Sequence, residues 1–167
     1  ITVATACGVA GIISGSITMT GLANELINGI IAVSNNHLII ALFLTMLCCI
    51  VLGMGVPTTA NYCIMAATCA PILIRMGVPA LAAHFFVFYF GIVADITPPV
   101  ALAAYAGSAI AKANPMKTAF NASRLAIAVF IVPYVFCFSP ALLMIDTNAM
   151  EVIRIVITSF IGIFGVA

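Results

Sequence analysis

The chain alternates between long apolar stretches and short polar connections, and its longest uncharged stretch is interrupted near the middle. No charged residue lies between His37 and Arg75, yet this stretch contains Gly53-Met54-Gly55-Val56-Pro57-Thr58-Thr59, and glycine with proline ends a helix. The flanks, Leu38–Leu52 and residues 60–74, have 15 residues each. Fifteen helical residues cover about 22 Å, less than the roughly 30 Å hydrocarbon core of a bilayer. The pattern predicts a re-entrant helical hairpin at 38–74 whose tip is buried in protein or lines a watery cavity.

The remaining polar positions divide the chain into further segments. They predict a membrane helix at 1–24, a polar connection at 25–37, a broken membrane helix at 85–111, a polar loop at 112–124, a membrane helix at 125–145 and the start of a truncated membrane segment at 146–167. The break at 85–111 is expected because Pro98 and Pro99 remove two backbone donors near its centre. Asn114 and Pro115 are predicted to be the N-cap and first residue of a helix.

Composition places these segments in a membrane. Apolar residues make up 65% of the chain and charged residues 5%, and the mean hydropathy is +1.35, whereas a soluble domain has about 25% charged residues. The sequence therefore predicts an all-α membrane protein, and the lack of a basic cluster excludes a nucleic-acid partner. All six cysteines lie in apolar runs without metal-ligand spacing, so they are predicted to be buried apolar residues.

Charge also predicts the orientation and the extent of the chain. Lys112, Lys117 and Arg124 fall in one short loop, which the positive-inside rule places in the cytoplasm. The predicted hairpin then opens from the external side. Because both ends run into apolar sequence, we expect the chain to be a piece of a larger permease.

The two predicted breaks share a pattern that indicates one binding site. In each, a helix is expected to end and to restart with proline in its first turn. The restarted N-termini carry partial positive charge, which suits an anion, and the unwound carbonyl groups suit a cation such as sodium. We predict an ion- and substrate-binding site formed by Gly53, Gly55, Val56, Pro57, Thr58, Thr59, Asn61, Asp95, Thr97, Pro98 and Pro99, with sodium at Gly53, Gly55, Thr58, Asp95 and Thr97.

Two of these residues have alternative roles. Asp95 is the one acidic residue within the membrane segments predicted over residues 1–145, where an ionised side chain costs on the order of 2.5–3.5 kcal/mol on insertion scales. It either binds the coupling ion or caps the restarted helix. Asn61 either belongs to the site or makes a hydrogen bond between helices. His37 and His84 are expected to be solvated, and Tyr62 is expected to pack against lipid or protein.

These motifs resemble those of a known family. Leu52-Gly53-Met54-Gly55-Val56-Pro57-Thr58-Thr59-Ala60, followed by Asp95-Ile96-Thr97-Pro98-Pro99-Val100, is similar to the large membrane subunit of TRAP (tripartite ATP-independent periplasmic) transporters. Supporting matches are Gly11-Ile12-Ile13-x-Gly15 and the stretch 111–118, and the likeness covers most of residues 1–145. Relatives of the dicarboxylate branch often have glycine where this chain has Ala101 and an acidic residue in the hairpin tip. These differences favour the fused permease branch.

The resemblance implies a sodium-coupled secondary importer in a bacterial or archaeal cytoplasmic (inner) membrane. Its substrate is expected to be an organic acid delivered by a periplasmic binding protein. The family fold has two inverted repeats and an elevator-type movement, and this chain would be the C-terminal repeat. Its further partners would be the N-terminal repeat, the small-subunit part and the lipid bilayer. Apart from sodium as coupling ion no cofactor is expected, and the protein is predicted not to be an enzyme.

Other functions use similar elements. Re-entrant loops also form the selectivity filters of ion channels, and other secondary transporters, such as divalent-anion/sodium symporters, contain re-entrant hairpins. The second broken helix favours a transporter over a channel. An intramembrane protease is disfavoured because the sequence lacks His-Glu-x-x-His and Asp95 has no second carboxylate near it.

Overall fold

Helices form the regular secondary structure of the chain. The computed structural model describes residues 2–35, 37–53, 57–98, 101–145 and 147–166. Its helices are α1 (Thr2–Met19), α2 (Leu22–Ser34), α3 (Leu38–Leu52), α4 (Thr58–Thr68), α5 (Ala70–Arg75), α6 (Ala80–Val93), α7 (Leu102–Ala111), α8 (Pro115–Leu125), α9 (Ile127–Phe138) and α10 (Ala149–Val166), with 3₁₀ turns at Ala94–Ile96 and Pro140–Leu143. Because the described residues contain no strand, the structure agrees with the all-α class predicted from the sequence.

Helix α6 lies at the centre of the fold and packs against α3, α4, α5 and α9. Phe86 and Phe90 on α6 are fully buried, and their ring centroids lie 4.8 Å apart. Tyr134 of α9 meets both rings edge-on, at 5.5 and 6.0 Å. Edge-on aromatic pairs add about 0.5–1.5 kcal/mol beyond the burial of their area. This aromatic cluster fixes α9 against the central helix.

The outer surface is strongly apolar. Ile12, Ile110, Phe160 and Phe164 are each more than 70% exposed. Large apolar side chains exposed on several helices agree with a chain that lies in a bilayer. Among the described residues, no single helix is both long and apolar enough to cross a membrane, although α8 and α9, bent by 44°, pass that test as a pair.

The N-terminal part differs from its predicted segments. The helix expected over 1–24 ends at Met19, and the expected polar connection forms α2. Gly21 adopts a left-handed conformation (φ 74°) immediately before α2, and Asn35 (φ 47°) closes it. Glycine and asparagine are the residues that most readily adopt this conformation, so they mark the two ends of α2.

The predicted loop at 112–124 is also largely helical. The side chain of Asn114 accepts a hydrogen bond from the backbone N–H of Lys117 at 3.1 Å, so the predicted N-cap is confirmed. The helix it starts continues to Leu125 because its polar and apolar residues follow the helical period. Polarity alone did not distinguish an exposed helix from a loop.

Two predicted helices are divided further. The second hairpin arm, predicted as residues 60–74, forms α4 and α5, which meet at Cys69. Pro71 lies in the first turn of α5, where its missing N–H costs no helical hydrogen bond. The helix predicted over 125–145 begins as α9 after Ala126 and ends at Phe138, two residues before Pro140.

Candidate functional site

Both predicted breaks fall between helices in the structure. Helix α3 ends at Leu52 and α4 begins at Thr58, while α6 is followed by the 3₁₀ turn Ala94–Ile96 and α7 begins at Leu102. Gly55, Val56 and Pro99, which the sequence placed in the site, lie outside the described residues.

Gly53 brings the two breaks into contact. A Cβ atom built on Gly53 would lie 2.8 Å from Ala94 Cβ, 2.9 Å from Asn61 Nδ2 and 2.9 Å from the carbonyl oxygen of Cys49. These distances are too short for any real side chain, so only glycine allows this approach. The end of α3 therefore lies directly against the 3₁₀ turn and α4.

Asn61 fills the corner between these elements. It is 1% exposed, and its Nδ2 donates to the carbonyl oxygen of Gly91 at 3.2 Å. Gly91 also admits Asn61 closely, since a Cβ atom there would lie 3.2 Å from Nδ2. The hydrogen bond between helices, one of the two alternatives for Asn61, is thus present.

The Asn61 side chain also has an oxygen with no partner. Its Oδ1 is buried and makes no hydrogen bond to the described residues. An unpaired buried polar atom costs about 1–3 kcal/mol and calls for an explanation such as a water or an ion. Both roles predicted for Asn61 are therefore compatible with the structure. Its amide nitrogen makes the hydrogen bond between helices, and its amide oxygen makes none to the described residues.

Helix ends of both signs meet at this corner, because the N-terminal turn of α4 contains Asn61 and two other helical segments end beside it. Two helical segments end there, α3 at Gly53 and α6 with its 3₁₀ extension at Ala94–Ile96. The C-terminal end of a helix carries partial negative charge and unpaired carbonyl groups. Most of the carbonyl groups at these ends are already hydrogen-bonded, among them those of Cys49, Gly91, Val93, Ala94 and Ile96, so Asn61 Oδ1 is the atom there that makes no bond to the described residues.

The second break uses its polar groups within the protein. The hydroxyl of Thr97 donates to the carbonyl oxygen of Val93 at 2.7 Å, and the N–H of Thr97 donates to Ala94 at 3.3 Å. Ser123 of α8 donates through Oγ to the carbonyl oxygen of Ile96 at 3.0 Å. Ser123 was not predicted as part of this region, and no motif in the sequence indicates it, because α8 is distant from the break along the chain.

The prolines occupy positions other than those predicted. Pro57 is the N-cap of α4 rather than a residue of its first turn. Pro98 precedes α7 by several residues, and the N-cap of α7 is Ala101 in a left-handed conformation, with φ 36°. Thr97 is extended, as the residue before a proline prefers. The prediction that each helix restarts with proline in its first turn is therefore wrong at both breaks, because Pro57 immediately precedes α4 and α7 begins only at Leu102.

The remaining predicted residues differ in their exposure. Thr58 and Thr59 are exposed at the start of α4, and Asp95 is half-buried in the 3₁₀ turn. The N-cap position of α7, where Asp95 could have acted, belongs to Ala101. The structure thus places Gly53 and Asn61 together against the turn that contains Asp95, whereas Thr58 and Thr59 are exposed.

A separate cavity of about 280 Å³ lies between α4 and α6, lined by Tyr62, Leu81, His84, Phe85 and Phe88. Tyr62 Oη and His84 Nδ1 are hydrogen-bonded at 3.0 Å. His84 therefore has a protein partner, in contrast to the solvated histidine expected from the sequence. In the described residues, no group of three His, Cys, Asp or Glu side chains is arranged to hold a metal ion.

Comparison with known proteins identifies a family. Residues 1–150 match the model of the family described as "Tripartite ATP-independent periplasmic transporter, DctM component". The curated proteins and the solved structures gave no match. The family resemblance drawn from the hairpin and double-proline motifs is thereby confirmed.

Proposed function

The chain belongs to the DctM family, the large membrane components of tripartite ATP-independent periplasmic transporters, and on this premise we propose that it binds the coupling sodium ion of an organic-acid importer. Membership of this family makes the chain part of a multi-pass membrane permease. The family is a class of transporters and not a class of enzymes. We further propose that it belongs to the fused branch and works with the rest of the permease and a periplasmic binding protein.

The observation that carries the proposal is the free oxygen of Asn61. This buried amide oxygen has no hydrogen-bond partner among the described residues and lies where two helical segments end, and both features attract a cation. Sodium would relieve the cost of burying that oxygen. Gly53 supports this role because its lack of a side chain lets the backbone approach Asn61.

The substrate is proposed to lie beside the exposed first turn of α4, at the hairpin break. Thr58 and Thr59 are exposed at the first turn of α4, where the helix N-terminus carries partial positive charge. A carboxylate is the complementary group. A cation bound at Asn61 would add to the positive potential that the anion meets, which couples the two ligands.

Sodium-dependent stability and uptake test the proposal. In the complete permease with its binding protein, we expect sodium to raise the thermal unfolding midpoint and potassium to have no effect. A ligand at a hundred times its dissociation constant stabilises a protein by about 2.7 kcal/mol. Asn61→Ala should lose most of this sodium-dependent gain and require more sodium for uptake of the organic acid.

The matched control is Asn121→Ala, since Asn121 is exposed on α8. It should retain the full response to sodium. Asn61→Ala also removes the hydrogen bond to Gly91, which can change the unfolding midpoint by itself. The midpoint of each variant with sodium is therefore compared with the midpoint of the same variant without sodium. An undiminished sodium shift in Asn61→Ala would refute the proposed ion site.

A further inference from the structure

A pocket with charged groups lies where α10 packs against the 3₁₀ turn Pro140–Leu143. It has a volume of about 460 Å³ and shares no lining residue with the candidate ion site. Part of its wall is apolar, and the residues that supply its polar groups define the charged pocket: Ser139, Glu151, Arg154 and Thr158. Helix α10 begins at Ala149, and the family match ends at residue 150, so the charged pocket joins the family region to a helix beyond it.

Two donor groups in the charged pocket have no partner among the described residues. The guanidinium group of Arg154 makes no hydrogen bond or ion pair to them, and the hydroxyl group of Ser139 makes no hydrogen bond to them. A guanidinium group can form two parallel hydrogen bonds to a phosphate. A phosphate group is therefore a complementary ligand for this part of the pocket.

Glu151 gives the same pocket a negative charge. Its Oε2 accepts a hydrogen bond from the hydroxyl of Thr147 at 2.9 Å, and within the described part of the chain it forms no ion pair with Arg154. Residues three positions apart on a helix are neighbours, with Cβ atoms about 5–6 Å from each other. A purely anionic ligand would meet the like charge of Glu151, whereas a zwitterion matches both side chains.

The position of the charged pocket along α10 suits a lipid headgroup. Glu151 and Arg154 lie in the first two turns of α10, and beyond them the helix carries no charge. The ten residues from Arg154 to Phe164 cover about 15 Å, half of the roughly 30 Å hydrocarbon core and thus one leaflet. Large apolar side chains on this part of α10 are more than half exposed: Ile157, Phe160, Ile161 and Phe164.

We propose that the charged pocket binds the headgroup of phosphatidylethanolamine, with the phosphate at Arg154 and Ser139 and the ammonium group at Glu151. The ammonium group of ethanolamine has N–H donors for a carboxylate, which the quaternary nitrogen of choline lacks. The acyl chains lie along the exposed apolar side chains of α10. This inference depends on the membrane location of the chain and not on sodium binding or the transported substrate.

Photocrosslinking in liposomes tests this site. The complete permease is reconstituted with a trace of phosphatidylethanolamine, phosphatidylglycerol or phosphatidylcholine, each with the same diazirine in one acyl chain. After illumination, mass spectrometry identifies the labelled peptides. We expect phosphatidylethanolamine to label α10 of the wild-type protein about fivefold more than either other lipid, the effect of one charge near a membrane surface.

Two variants distinguish the two halves of the headgroup. Arg154→Gln should lower the labelling of α10 by phosphatidylethanolamine about fivefold. Glu151→Gln should remove the preference over phosphatidylcholine and raise the labelling by phosphatidylglycerol, because the like charge is gone. The matched control is Arg124→Gln, which should leave the labelling of α10 unchanged, since Arg124 is exposed on α8 and does not line the charged pocket.

Three results with the wild-type protein would overturn the proposal. Equal labelling of α10 by the three lipids would indicate a non-selective lipid shell, and strongest labelling by phosphatidylglycerol would indicate a site for anionic lipids. No labelling of α10 by any of them would indicate that another part of the permease covers the pocket. Because these results come from the wild-type protein, they decide the question even if a variant does not fold.

Discussion

The two helix breaks are in contact at Gly53 and Ala94, but they differ in whether their polar groups are hydrogen-bonded within the protein. At the first break, Asn61 leaves a buried oxygen without a partner among the described residues. At the second, the carbonyl of Ile96 and the hydroxyl of Thr97 are both hydrogen-bonded within the protein. A break that satisfies its own groups serves as a structural bend, whereas one that leaves an oxygen free has capacity for a ligand. This difference favours the first break over the second in the ligand-binding role that we propose.

The largest effect is expected from a side chain at Gly53. Gly53→Ala would place Cβ 2.9 Å from the backbone oxygen of Cys49 and 2.8 Å from Ala94, so the backbone must shift. Overpacking of this kind costs roughly 1–3 kcal/mol. We expect a lower thermal unfolding midpoint and the loss of sodium-dependent uptake.

Gly107 provides the matched control for this substitution. It lies in α7, and apart from its chain neighbours and its own helix backbone no atom of the described residues lies within 4 Å of a built Cβ; Gly→Ala within a helix is favourable by about 0.5–1 kcal/mol. Gly107→Ala should therefore be neutral or stabilising. Equal unfolding midpoints and equal sodium-dependent uptake in Gly53→Ala and Gly107→Ala would show that the contact between the breaks is not essential.

An intermediate effect is expected at Ala101. This residue is fully buried and has a φ of 36°, a left-handed conformation that costs a residue other than glycine roughly 1–2 kcal/mol. Ala101→Val adds a β-branched side chain there and should lower the unfolding midpoint clearly. Ala101→Gly relieves the backbone but loses a buried methyl group worth about 0.8 kcal/mol, so its midpoint should change little. A tolerated valine would contradict the left-handed conformation.

The smallest effect is expected at Ser123. Ser123→Ala removes a hydroxyl that donates to the carbonyl oxygen of Ile96 at 3.0 Å and to that of Ala119, in its own helix, at 3.1 Å, and one such bond contributes about 0.5–1.5 kcal/mol. We expect a slightly lower unfolding midpoint and an unchanged dependence of uptake on sodium, because the second break is assigned a structural role. Ser108→Ala, which removes a bond only within α7, is the control. A changed sodium dependence in Ser123→Ala would move ligand binding to the second break.

Local chemistry made some features predictable from the sequence. The N-cap at Asn114 followed from an asparagine–proline pair, and both helix breaks followed from glycine and proline. Helix α2 was missed because Glu25 and the polar residues before His37 looked like a connection. In a helix at the protein surface such residues are compatible with a regular backbone, so polarity did not determine whether the chain was helical there.

Contacts between distant residues could not be predicted in the same way. The hydrogen bond from Ser123 to Ile96 joins residues 27 positions apart, and that between Tyr62 and His84 joins residues 22 positions apart. Their formation depends on how the helices cross. Nothing in the local pattern of the sequence specifies this.

The sequence by itself determined the membrane character, the all-α class, the family and the two places where helices stop, because each depends on composition or on short motifs. The tertiary structure decided which polar groups of those breaks are satisfied. It did so by packing Gly53 against Ala94 and directing the Asn61 amide nitrogen to Gly91, so that Oδ1 has no partner within the described part of the chain. Hydrogen-bond satisfaction is a property of neighbours in space, and these neighbours come from three separate helices.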